Sequence, residues 1–343
     1  YIAMAASPPV LLAALNNYEW QDFLPGPLGA EVRRLPFRFE SVPLPLNNCK
    51  RLPDHLRESG AEVLVSCWAT PPLPEDLPVG GEGELRYVCH LAGSVKDLVP
   101  RSLIERGLKV TNWGGSVSRT VAECALLLVL SALRRSSYWA VAMHRDGKWK
   151  DKYTVVTASL FERSVGLHGF GAIARALVPL LKPFGVRISS YSPGVPDEVF
   201  ARHGVERSGS LAELFAGNDI IVELAASTPE TYHSVNEEML RLIRPGGVFV
   251  NVGRGAIVDE TALVRVAAEG RIEVALDVFE EEPLPAASPL RGMPNVTLLP
   301  HLGGPTKDRR RDSGLLCCHN LQRYLAGEPL EAEVTLDVYD RTT

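Results

Sequence analysis

The chain has 343 residues, of which 45% are apolar and 22% charged, and a net charge of −5. That is enough chain for two domains of ordinary size, with the balance of a globular protein. It argues against a nucleic-acid partner, because no basic stripe appears beyond Arg309-Arg310-Arg311, which reads as a solvated helix start.

Six cysteines, at 49, 67, 89, 124, 317 and 318, show no metal-binding spacing. Several lie in apolar runs such as VLVSCW, so they read as buried free thiols of a reducing compartment. Cys317-Cys318-His319 reads as core rather than as a metal site, since adjacent helix residues point apart. No secretory signal is read where Tyr1 to Ala3 precede Met4, and the longest apolar run, Ala125 to Leu133, is too short to span a bilayer. Together these predict a cytoplasmic protein with no membrane partner.

In chain order, Pro9 to Leu15 reads as a strand, and a proline-rich irregular stretch follows to Pro45. Val63–Trp68 and Leu85–Leu91 read as strands, Pro100–Arg106 as a short helix and Leu108–Thr111 as a strand. Strands separated by loops and helices predict a parallel sheet covered by helices. From Thr120 a helix runs to about Tyr138 or on to Arg145. Its ALLLVLSAL run is apolar nearly all round, which predicts burial on most sides, between domains and against a second subunit.

The segment SVGLHGFGAIARALVPLLKPFGVRISSYS, from Ser164 to Ser192, opens a βαβ unit. Val165–Leu167 is the first strand, Gly169-Phe170-Gly171 the turn, Ala172–Lys182 the helix and Val186–Tyr191 the second strand. Gly169 allows a tight turn, Gly171 admits a pyrophosphate, and the helix N-terminus offers N–H groups and partial positive charge. Ala174 takes the place of a third glycine. Ser192 stands where an acid would hold the ribose 2′-hydroxyl, and no arginine follows it, so NAD is favoured and NADP left open. Strands at Ile220–Leu224, Val248–Val252, Val274–Asp277 and Val296–Leu299 then alternate with helices at Asn236–Leu242 and Glu260–Ala268. They complete a doubly wound domain, and a last helix near Ser313–Leu325 returns to the first domain.

Three reactive side chains fall at carboxyl ends of these strands, where doubly wound sheets bind ligands. They are Arg254 in Asn251-Val252-Gly253-Arg254-Gly255, Glu282 before Pro283, and His301 after Pro300. Singly, each has a plainer reading: a helix cap, a solvated acid, a core histidine. Together, on one rim beside a dinucleotide, they suit hydride transfer.

The ordered segments LIERGLKVTN, TVAE, GFGAIARAL, STPET, IRPGGVFVNVGRGAIVDETALV, ALDVFEEEPL and PNVTLLPHLGG resemble the D-isomer-specific 2-hydroxyacid dehydrogenase family. The resemblance implies an α/β fold of two doubly wound parallel-sheet domains. A Rossmann NAD(P)-binding domain, residues 118–305, would be inserted into a flavodoxin-like substrate domain, residues 1–117 and 306–343. It implies Arg254 as binder of the substrate carboxylate and carbonyl, Glu282 as the residue that orients the histidine, and His301 as acid/base. It places the cofactor on Gly169, Gly171, Ala172, Ile173, Ser192, Ala226, Thr231, Val252, Gly253, Asp277 and Gly304, with Asp277 on the nicotinamide amide. Gly93 and Ser94 would face the substrate carboxylate. It also implies a homodimer through the apolar helix near 121–138.

The chain departs from the family pattern at Ala92-Gly93-Ser94-Val95-Lys96-Asp97, where Ala-Gly-x-Gly-x-Asp is common, and at Leu224-Ala225-Ala226, where His-Ala-Pro is common. The function implied is hydride transfer between NAD(P)H and a 2-oxo or 2-hydroxy acid, with no metal. The alternatives are a dinucleotide-binding regulator or corepressor on the same fold and, with less support, formate or phosphite oxidation.

Overall fold

The computed structural model describes residues 7–45, 51–81, 83–151 and 156–341; Cys49 and the first six residues lie outside them. The chain divides into two compact units, residues 1–117 with 306–343, and residues 118–305.

The first unit begins with β1 (Val10–Leu15), α1 (Asn17–Phe23), α2 (Gly26–Arg34), β2 (Arg38–Pro43) and α3 (Leu52–Ser59). It continues with β3 (Val63–Ser66), β4 (Tyr87–His90), α4 (Arg101–Glu105) and β5 (Lys109–Thr111). The strands form one parallel sheet in the order β2-β1-β3-β4-β5. Alternate residues of β1 feed two cores. Leu12 and Ala14 join Leu64, Val88 and Val110 on one face, and Leu11 and Ala13 join Val63, Val65 and Tyr87 on the other. Burial on both faces explains strands that read as continuous apolar runs.

The stretch to Pro45 is therefore not irregular, as its prolines suggested. Asn16 and Glu19 cap α1 reciprocally, Glu19 N–H to Asn16 Oδ1 at 2.9 Å and Asn16 N–H to Glu19 Oε2 at 3.0 Å. Pro25 and Pro27 sit at the start of α2, and Pro43 ends an edge strand. At such positions a missing N–H costs little.

The second unit opens with α5 (Ser118–Arg134) and α6 (Ser136–His144), followed by β6 (Ser164–His168), α7 (Ala172–Leu181), β7 (Arg187–Tyr191) and α8 (Asp197–His203). Then come β8 (Glu206–Arg207), α9 (Leu211–Gly217), β9 (Ile220–Glu223), α10 (Glu237–Leu242) and β10 (Val248–Asn251). The unit closes with α11 (Glu260–Ala268), β11 (Glu273–Leu276) and β12 (Val296–Leu298). Its parallel sheet runs β12-β11-β10-β9-β6-β7-β8. The order reverses between β6 and β9, the switch point at which open α/β sheets bind their ligands.

The single apolar helix predicted from Thr120 is two helices, because Arg135 adopts a left-handed conformation (φ 49°). Nor is α5 buried all round. Val121, Ala122, Ala125, Leu128, Val129 and Leu133 are buried, while Leu127 is 54% exposed. The helical stretch 114–134 is longer than its apolar run and is long and apolar enough by composition to cross a membrane, although more than half of it is buried in the fold. Residues 197–217, which carried no predicted element, form α8, β8 and α9.

The chain then returns to the first unit as α12 (Arg310–Ala326) and α13 (Leu336–Arg341). A Cβ on Gly314 would lie 1.8 Å from the Phe23 carbonyl oxygen, so α12 crosses the end of α1 at backbone contact. Arg310 is not solvated as its charge run suggested. It donates to Asp22 at 2.7 Å and its guanidinium lies 5.0 Å from the Trp68 ring centre. Cys67, Cys89, Cys317 and Cys318 are buried in one core cluster, Cys124 is half-buried, and these thiols are free.

Candidate active site

At the switch point, β6 ends on His168 and the chain turns through Gly169, whose φ is 88°. A Cβ there would lie 2.8 Å from the Ala225 backbone, so the turn requires glycine for both conformation and space. Gly171 is the N-cap of α7 with no side-chain cap, and a Cβ on it would meet nothing within 4 Å. Uncapped N–H groups therefore open onto free space, which fits a pyrophosphate. Ala172 is exposed and Ile173 half-buried at this opening, while Ala174 is fully buried beneath it. Ser192 follows β7 directly and is half-exposed. The loop after β9 is closed by Thr231, whose hydroxyl donates to Ala226 O at 2.7 Å and accepts from Thr228 N–H at 2.7 Å.

The rim at β10, β11 and β12 carries the reactive set. Asn251 shapes the first loop, its Oδ1 accepting from Gly253 N–H and its Nδ2 donating to Arg254 O, each at 3.0 Å. Val252 and Gly253 are buried, and Arg254 donates from Nη1 to Gly253 O at 2.8 Å. A Cβ on Gly255 would lie 1.8 Å from Phe279 O. The arginine loop thus presses on the backbone of the loop that carries Glu282. Burial holds the Arg254 guanidinium below its ordinary pKa, and the Glu282 carboxylate opposes that shift.

Glu282 Oε1 accepts from Phe279 N–H at 3.0 Å, and Oε2 pairs with His301 Nδ1 at 2.6 Å. His301 has a left-handed backbone (φ 53°), a conformation that costs a histidine of order 1 kcal/mol or more. Its N–H donates to Asp277 O at 2.9 Å. The Asp277 carboxylate accepts from Leu302 N–H at 2.6 Å and Gly303 N–H at 2.7 Å, pinning the loop after His301. Burial raises the Asp277 pKa, and these hydrogen bonds and His301 oppose the rise. The His301 side chain is 50% exposed, and Nδ1 is the ring nitrogen that the Glu282 pair occupies. Beside the pair opens a cavity of about 620 Å³, lined by Phe279, Glu282, Leu284, Leu298 and His301 among others.

One unit therefore brings together Arg254, Glu282, His301, Asp277, Val252, Gly253 and Gly304, as well as the glycine turn. Gly93 and Ser94 belong to the other unit, in the loop after β4. There Asn112 Nδ2 donates to Gly93 O at 2.8 Å, and a Cβ on Gly93 would meet the Trp113 indole at 2.6 Å. Trp68 lies edge-on to Trp113, ring centres 6.3 Å apart, and is 53% exposed. Sequence reasoning gave no role to Asn251 or Gly255, although both stand in the Asn-Val-Gly-Arg-Gly segment. It also did not anticipate that Asp277 holds the histidine loop.

Residues 126–303 match the family described as D-isomer specific 2-hydroxyacid dehydrogenase, NAD binding domain. The D-3-phosphoglycerate dehydrogenase of Methanocaldococcus jannaschii is 32% identical over 254 residues, 74% of this chain and 48% of that one, so the match spans about half of that relative. The hydroxyphenylpyruvate reductase of Plectranthus scutellarioides is 36% identical over 228 residues, 66% of this chain and 71% of that protein. Among solved structures, an NADPH-dependent glyoxylate/hydroxypyruvate reductase from Sinorhizobium meliloti superposes with a TM-score of 0.72 at 26% identity, covering 96% of this chain and 98% of that one.

Proposed function

The chain belongs to the D-isomer specific 2-hydroxyacid dehydrogenase family of NAD(P)-using oxidoreductases, and from that premise we propose that it interconverts a 2-oxo acid and its D-2-hydroxy acid. The observation that carries this reading is the Glu282–His301 pair, with Arg254 in a loop that packs on the loop of Glu282. The dinucleotide supplies the hydride in reduction and accepts it in oxidation. The chain's own residues do the rest. Arg254 holds the substrate carboxylate and carbonyl through its planar, permanently charged fork. Glu282 fixes the ring of His301 through Nδ1, so that Nε2 delivers a proton to the carbonyl oxygen in reduction and removes it in oxidation.

Gly169, Gly171, Ala172 and Ile173 hold the pyrophosphate. Ser192, Ala226 and Thr231 lie toward the adenosine, and Val252, Gly253, Asp277 and Gly304 toward the nicotinamide. Each Asp277 oxygen keeps a lone pair beyond its backbone bond for the carboxamide. Ser192 with no arginine after it favours NAD. Residues 118–305 are the dinucleotide domain, and 1–117 with 306–343 the substrate domain. There Gly93 and Ser94 are the substrate-side candidates, in a loop held by the Asn112 Nδ2 bond to Gly93 O. Exposed Leu127, Val141 and Met143 on α5 and α6 support a homodimer, and the free thiols support a cytoplasmic setting.

The test is NADH and NADPH oxidation against glyoxylate, hydroxypyruvate, pyruvate and arylpyruvates. Turnover of a 2-oxo acid that His301→Ala abolishes is the expected result. No turnover of any acid with either cofactor overturns the reading.

A further inference from the structure

An ionic pair that none of these roles uses lies buried at the switch point. His168 ends β6 and Glu223 ends β9; they are register partners in the sheet and are 3% and 0% exposed. His168 Nδ1 pairs with Glu223 Oε2 at 2.5 Å, and Oε1 accepts from Ala225 N–H at 2.8 Å. Leu224 N–H donates back to His168 O at 2.9 Å. This side of the sheet carries Ile221, Leu214, Phe215 and Phe249 in its core, and its nearby neutral polar contact is the buried Asn218–Ser189 hydrogen bond at 2.9 Å. Two aliphatic side chains would avoid the desolvation that a buried ion pair must overcome, so stability alone does not account for the pair.

Position does account for it. His168 immediately precedes the glycine turn, and Glu223 immediately precedes the loop 224–231. Those are the segments that hold the pyrophosphate and the adenosine side, and they touch where Gly169 meets Ala225. We propose that His168 and Glu223 are positioning residues for the dinucleotide: they clamp the two loops together, and they keep the floor beneath the pyrophosphate electrically neutral. The proposal rests on the use of NAD(P) by this chain.

With both groups ionised, the pair presents no net charge to an anionic ligand. Once His168 loses its proton, Glu223 is left as an uncompensated buried anion below the pyrophosphate. Burial pulls the His168 pKa down, but the Glu223 carboxylate outweighs it and holds the ring above the ordinary histidine value. Among the described residues Glu223 is the one charged group acting on the ring. On β7 the Tyr191 ring stacks on it, centres 6.2 Å apart. On α9 the acidic Glu213 is turned away to Gly209 N–H, and Glu230 in the 224–231 loop is exposed. Cofactor affinity should therefore fall as pH rises through the His168 titration, by about tenfold for one charge at this depth.

The probe is ADP-ribose, which carries the pyrophosphate but no nicotinamide, so that His301 does not contribute. Its Kd is measured calorimetrically on the whole chain from pH 6 to 9.5. In the wild type Kd is expected to rise about tenfold across that range. Glu223→Gln, which removes the buried anion, should flatten the profile. His168→Leu, which strands it, should bind weakly at every pH. The double variant His168→Leu/Glu223→Leu leaves no charge to bury; it serves where a single variant does not fold, and its profile should be flat. A flat wild-type profile, or a double variant that keeps the wild-type rise, overturns the proposal alone. Failure of the wild type to bind ADP-ribose, NADH or NADPH overturns it together with the reading of the cofactor site.

Discussion

Glu282 holds His301 Nδ1 at 2.6 Å with one oxygen and the Phe279 N–H at 3.0 Å with the other. One carboxylate thus sets both the orientation of the imidazole and the shape of the loop it comes from. His301→Ala is expected to lower kcat by about 10²–10⁴-fold, the usual contribution of a positioned acid/base. Glu282→Gln keeps the hydrogen-bonding shape but not the charge, so its loss should be smaller and should fall on kcat rather than on cofactor Kd. Steady-state kinetics with a 2-oxo acid decide this; wild-type kcat in Glu282→Gln would remove the carboxylate from the mechanism.

Arg254→Lys keeps the charge but replaces a fork with a point. Loss of one charge-assisted hydrogen bond should raise the KM for the 2-oxo acid about 10- to 100-fold. The Kd for ADP-ribose should not change, and an equal loss in both would mean that the substitution had disturbed the loop rather than the contact.

Gly255 has no room for a methyl group, because its Cβ would lie 1.8 Å from Phe279 O. Gly255→Ala must separate two loops at backbone level, a distortion worth about 3 kcal/mol at the upper end of overpacking costs. A lower Tm with a raised substrate KM is expected. A variant with unchanged Tm and KM would show that the two loops do not depend on each other.

His90, at the end of β4, is 4% exposed, with Ser66 Oγ 3.0 Å from its Nδ1. Burial lowers its pKa to about 4, against a smaller opposing hydrogen bond to the Ser94 backbone. The unfolded chain takes up this proton near pH 6.5 and the folded chain only near 4. Stability from this group is thus complete above pH 6.5 and drains away as pH falls toward 4, by about 3 kcal/mol in all. Denaturant unfolding at pH 7 and pH 4 should show that loss in the wild type and a smaller one in His90→Gln. Equal losses would place the acid sensitivity elsewhere.

The strands and the reactive set were largely legible because each follows from local pattern. Buried parallel strands are unbroken apolar runs, and Arg254, Glu282 and His301 stand just past such runs. What was not legible depended on partners distant in sequence or on backbone conformation. Prolines at 25, 27 and 43 read as disorder of pattern, whereas the structure uses them at a helix start and a strand end. A left-handed Arg135 divides a run that looks continuous. Asp277 takes its backbone partners from residues 302 and 303, and Glu223 pairs with a histidine 55 positions earlier; no periodicity announces either.

The backbone contact between Gly314 and Phe23 bears on how the protein is made. The core of the first unit takes Leu11, Phe23 and Tyr87 from the early chain and Cys317 and Leu321 from α12. A ribosome therefore delivers every strand of that sheet long before the helix that covers Phe23, and α1 must wait with an uncovered apolar flank. The second unit, drawn from one continuous stretch, has no such delay and can be complete while the first is still open.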